Sequence, residues 1–209
     1  MTIDKNLKNY IEENIFPLYK NNFTGDGIER VNYVIKRSEK ILQENNLDIN
    51  NNILFTIISY HDLRKNNDEA NHELVSAEIM YNDEFLKSFF TSEERLLIKE
   101  AIEDQRANSK NEPRSIYGKI LSSASRNSSV EQSLERSYYY GKKTNPNATD
   151  EELFERAYIA LSKKFGENGY AKFYFKDSTY EQFLHDIREL LSNKKKFIDK
   201  QRKYILKQK

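Results

Sequence analysis

Apolar residues recur along this chain with the spacing of a helix surface. Ile28, Val31, Val34, Ile35, Ile41 and Leu42, with the small Ser38 among them, fall on one side of a helical turn, and so do Leu153, Phe154, Ala157, Tyr158, Leu161 and Phe165. Each set makes one stripe along an amphipathic helix. A third segment, Ile53, Leu54, Phe55, Ile57 and Ile58, is apolar on nearly every face. It predicts a helix buried on all sides that ends at His61-Asp62. Start signals agree with the stripes: Thr91 precedes Glu94, and Thr149 precedes Glu152, at the spacing of a capping box, and Ser178 to Glu181 repeats it. Breaks fall at 21–25, 45–52, 65–69, 108–113, 142–147 and 166–169, where Asn, Gly, Pro and charged residues gather.

These signals predict an all-α fold of about seven or eight helices. Tyr170 to Phe175 has the composition of a short strand, but no partner strand is evident. No internal repeat or long linker divides the chain, so a single domain is expected over 1–209, with a basic helix at about 187–209.

Composition narrows the chemistry. With 209 residues the chain is long enough to bury a core without staples. It has no cysteine, which excludes disulfides and thiol nucleophiles. Lys plus Arg total 34 against 33 Asp plus Glu. A balance this even gives no global attraction for nucleic acid or acidic membranes, and any anion site must be a local patch. The longest apolar run falls short of the ~20 residues of a membrane span, and Met1 to Asn6 lacks the apolar stretch of a signal peptide. The expectation is a cytoplasmic protein that binds no membrane. The tail from Lys194 to Lys209 reads as a solvated helix partly docked through Phe197, Tyr204, Ile205 and Leu206, which disfavours a nucleic-acid role.

The candidate chemistry begins at His61-Asp62, with His72 further along the chain. A neutral imidazole and a carboxylate can share a divalent cation, which lowers the pKa of bound water towards ~7 for attack on a phosphoester. The plain alternative is a buried hydrogen-bonded pair at the end of a core helix, with His72 on the first turn of the next one. Other polar residues read as structural. His185, between Leu184 and Asp186, reads as a surface or core-edge residue, and the adjacent Glu103 and Asp104 point to different helix faces. Ser122, Ser123, Ser125, Ser128 and Ser129 have no nucleophile-elbow setting, and Tyr138-Tyr139-Tyr140 divide between core and surface.

Three stretches together resemble the HD superfamily of all-helical metal-dependent phosphohydrolases, over about Phe23 to Asp186. They are Gly27-Ile28-Glu29-Arg30-Val31, then Tyr60-His61-Asp62 through His72-Glu73 with Ser76-Ala77-Glu78, then Glu103-Asp104-Gln105-Arg106-Ala107 through Pro113-Arg114-Ser115-Ile116-Tyr117-Gly118 to Ala124-Ser125-Arg126-Asn127. The resemblance implies a single HD-domain-like helical bundle with catalytic and metal-binding roles for His61 and Asp62, and His72 as a further metal ligand. It also implies departures. A histidine ligand is replaced by Arg30, the leading histidine of the same segment by Asp26, a later histidine by Gln105 and the distal aspartate by Ser125.

Arg30 sets a permanent positive charge where a cation would sit, and a serine hydroxyl is a poor substitute for an anionic oxygen. The implied cofactor is therefore none, or a weakly held divalent metal. Arg30, Arg64, Lys65, Arg106 and Arg126 lie in or beside the segments that surround the metal in the family, and arginine suits phosphate through its planar fork. The leading expectation is thus a catalytically inactive binding or regulatory module for a phosphorylated small molecule or nucleotide. Two alternatives compete: an active metal-dependent phosphatase or phosphodiesterase aided by Asp26 or Asp104, and a protein-interaction scaffold with a protein partner.

Overall fold

The computed structural model describes residues 1–21, 27–63, 71–106, 111–170 and 174–207. They group into two compact units, Met1–Arg126 with Phe173–Lys176, and Asn127–Lys172 with Asp177–Lys209. The first holds α1 (Lys5–Tyr10), a π-helical turn (Ile11–Ile15), a 3-10 turn (Phe16–Asn21), α2 (Ile28–Glu44), α3 (Asn51–Tyr60), α4 (His72–Tyr81), α5 (Glu84–Phe89), α6 (Ser92–Glu103) and α7 (Ile116–Ala124). The second holds α8 (Val130–Thr144), α9 (Asp150–Phe165), α10 (Ser178–Leu191) and α11 (Lys194–Leu206). The fold is all-α, and no strand occurs among the described residues, which leave out 171–173.

Among the described residues eleven α-helices form, against the expected seven or eight. The surplus has local causes. α1 and α5 span six residues each, too few to complete an apolar stripe, and each is started instead by an aspartate. Asp4 accepts from the amides of Asn6 and Leu7, and Asp83 from those of Phe85 and Leu86. Near the C-terminus, Asn193 Oδ1 accepts from the Lys196 amide at 3.0 Å, so the basic segment starts a helix of its own at Lys194. There Phe197 and Ile205 are buried, but Leu206 is 54% exposed and does not dock.

Two capping boxes form as expected, at Thr91 with Glu94 and Thr149 with Glu152. The third does not. Asp177 takes the N-cap position of α10 and accepts from the Tyr180 amide, which places Ser178 inside the helix. A carboxylate one residue earlier is the better partner for the helix's positive end.

α3 is the centre of the first unit. Every residue from Ile53 to Tyr60 is buried, and the helix packs against α2, α4, α6, α7 and the π-helical turn. Its core joins Leu7, Ile11, Val31, Val34, Ile41, Met80, Ile98, Ile102 and Leu121. The second unit has separate clusters, one around Leu134, Leu161, Phe183, Ile187 and Phe197, the other around Tyr138, Phe154 and Ile205. Tyr139 and Tyr140 are exposed, so that run does divide between core and surface. No helix is long and apolar enough to cross a membrane, among the described residues.

Candidate functional site

The buried end of α3 delivers His61 and Asp62 to one place because helix packing leaves them no other. His61 is fully buried and Asp62 nearly so. His61 Nδ1 stands 2.7 Å from the Ile58 carbonyl. A carbonyl only accepts, so Nδ1 carries a proton and the ring is fixed with Nε2 turned towards Asp62 Oδ2 at 3.2 Å. From α4, His72 Nε2 stands 3.3 Å from Asp62 Oδ1, while its Nδ1 stands 3.4 Å from Glu73 Oε2. Asp62 thus lies between two imidazoles. Arg106 closes the series, with Nε 2.5 Å from Glu73 Oε1 and Nη2 donating to Oε2 at 2.8 Å. This two-point pair joins α4 to the segment after α6.

Carbonyls at the end of α3 are met by side chains from elsewhere. Tyr19 donates its hydroxyl to the Ser59 carbonyl at 3.0 Å, and Gln105 Nε2 donates to the His61 carbonyl at 2.8 Å. Burial, then the charge of nearby Asp62, push the Tyr19 hydroxyl well up from its usual range, so it remains a neutral donor. Tyr19 was not a candidate from sequence. Its signal was present, since Leu7, Ile11, Ile15 and Tyr19 recur every fourth residue and all are buried.

The end of α7 is built the same way. Arg30, on the first turn of α2, donates to the Ser125 carbonyl, and its guanidinium lies 5.3 Å from the Tyr33 ring centre. Tyr33 donates its hydroxyl to the Arg126 carbonyl at 3.0 Å, and Arg126 Nε donates to the Ser122 carbonyl at 3.0 Å. The structure therefore joins Arg30 directly to Ser125, two positions at which the resemblance sets metal ligands, and joins Gln105 to His61. Asp26, Arg64 and Lys65 lie outside the described residues.

The acidic pair Glu103-Asp104 at the end of α6 serves a different cation from those singled out in the sequence. Arg114 bonds to Asp104 through its backbone amide and Nε, and to Glu103 through Nη2 at 2.6 Å. Burial alone would raise the Glu103 carboxyl, but hydrogen bonds from Arg114 and Lys99 outweigh it and hold that carboxyl below its ordinary value. Hydrogen bonding to Asp104 likewise raises the Arg114 guanidinium.

No family model, no curated protein and no solved structure matches this chain.

No group of three or more His, Asp or Glu side chains stands in position to hold one ion among the described residues. Gln105 is spent on a backbone carbonyl, and the Ser125 carbonyl is taken by a guanidinium. His185, exposed beside Asp186, belongs to the second unit. That unit has its own cleft of about 590 Å³ along α8, α10 and α11. The cleft's lysines are paired, Lys200 with Glu131 and Lys196 with Glu189, so it presents no single charge to a ligand.

Proposed function

We propose that this chain is a non-hydrolytic, HD-like helical module that binds or senses a phosphorylated small molecule or nucleotide. One observation supports the reading above the others. Arg30 stands where the resemblance sets a metal-binding imidazole, and it reaches the backbone of Ser125, where the resemblance sets the distal carboxylate. A permanent positive charge there opposes a metal cation and favours an anion. A guanidinium has five N–H donors in a planar fork, so a bond to a carbonyl and a bond to a phosphate oxygen can coexist on one side chain.

Calorimetry against a panel of nucleotides and phosphorylated metabolites, in buffer containing chelator, tests this. At least one should bind, and Arg30→Ala should weaken it by about tenfold or more, the scale of one charge-assisted hydrogen bond. Protein purified without chelator should carry no stoichiometric metal. Tight metal bound by His61 and Asp62, with phosphoester turnover, would establish the hydrolase alternative instead. Absence of any anion binding would leave the protein-interaction scaffold as the better account.

A further inference from the structure

The C-terminal end of α7, with the two residues that follow it, carries an unusual set of partners. The carbonyls of Ser122, Ser125 and Arg126 accept, in turn, from Arg126 Nε, from Arg30 and from the Tyr33 hydroxyl. A helix C-terminus holds a partial negative charge and unsatisfied carbonyls, and guanidinium donors answer both. Arg126 is 7% exposed, so its charge is sheltered from water. Such burial is tolerated only where the protein supplies acceptors. Here the acceptors belong to one helix end, and two of the three donors come from α2.

We infer that Arg30, with Tyr33, is a resident cationic brace between α2 and α7, doing for these two helices what a shared metal ion would do. The packing of the first unit therefore does not depend on a divalent metal. The brace is a claim about helix packing and stands whether or not a phosphorylated ligand binds.

Melting the full chain tests it. Wild type should melt at the same temperature, within about 1 °C, with chelator or with millimolar Mn²⁺, whereas Arg30→Met should melt about 5 °C lower. Amide exchange should quicken in Ser122–Arg126 in that variant and stay unchanged in α9. The triple variant Arg30→His, Gln105→His, Ser125→Asp should behave in the opposite way, recovering melting temperature when Mn²⁺ is added. If chelator lowers the wild-type midpoint, or Arg30→Met melts like wild type, the brace is wrong. Should Arg30→Met fail to fold, Arg30→Lys decides. A folded lysine variant with slow exchange at Ser122–Arg126 supports the charge, and one that is equally unfolded overturns it. Loss of stability in Arg30→Met with unaltered anion affinity in the calorimetry would keep the brace and refute the ligand reading.

Discussion

Single side chains in this protein are placed by the need to satisfy backbone groups at helix ends. Gln105 illustrates it: a residue read from sequence as a lost metal ligand is 7% exposed and holds the His61 carbonyl. Leaving such a buried carbonyl without a donor costs about 1–3 kcal/mol, enough to account for an amide at this position without any metal. Arg114 shows the same logic on the surface. It is 45% exposed, so its links to Glu100, Glu103 and Asp104 are screened, and together contribute about 1 kcal/mol. The Glu103 carboxyl is depressed in the folded state. Its contribution is therefore present above the unfolded value of about 4.3 and is lost as pH falls through the folded one. Arg114→Ala should accordingly lower the urea midpoint at pH 7, and the difference from wild type should shrink as pH falls from the unfolded value through the folded one.

At the scale of elements, close approach decides which helices neighbour the site. Gly118 on α7 lies against the turn that leaves α6: a Cβ added there would stand 3.0 Å from Pro113 Cβ, 3.4 Å from Asp104 Cβ and 3.5 Å from Ala101 Cα. Two of these three neighbours are fixed by rigid backbone or ring, so they cannot swing aside. Gly118→Ala should therefore destabilise by about 1–3 kcal/mol, although alanine is the better helix former by about 1 kcal/mol. Chemical denaturation checks the sign. A more stable alanine variant would mean that α6 and α7 separate at low cost. The two formed capping boxes needed no such context, because the hydroxyl, the amide and the glutamate lie within one turn.

Across the whole molecule, two units carry separate cores, the larger centred on α3. Ile57 and Leu134 are each fully buried, one in each unit. Truncation of either to alanine should cost about 2–5 kcal/mol. If each core melts with its own unit, Ile57→Ala should speed amide exchange throughout α3 and leave α10 unchanged, while Leu134→Ala does the reverse. Equal acceleration in both units from either variant would show one cooperative fold.

Sequence alone determined the features whose causes are local. The stripes of α2 and α9, the all-round burial of α3 and the two threonine caps depend on residues within a few turns of one another, and the 3.6-residue period reports them directly. The short helices α1 and α5 were not legible, since six residues do not complete a stripe. The candidate site was legible only as a roster of residue types. That His61, Asp62, His72 and Glu73 form a connected series was foreshadowed by their closeness in sequence. That Arg30 would meet Ser125, Gln105 the His61 carbonyl, and Tyr19 the Ser59 carbonyl was not. Those partners are backbone carbonyls at the ends of other helices, a chemical group that every residue carries. Sequence cannot mark which carbonyl will be left unpaired beside which side chain, and only the packing of the helices decides it.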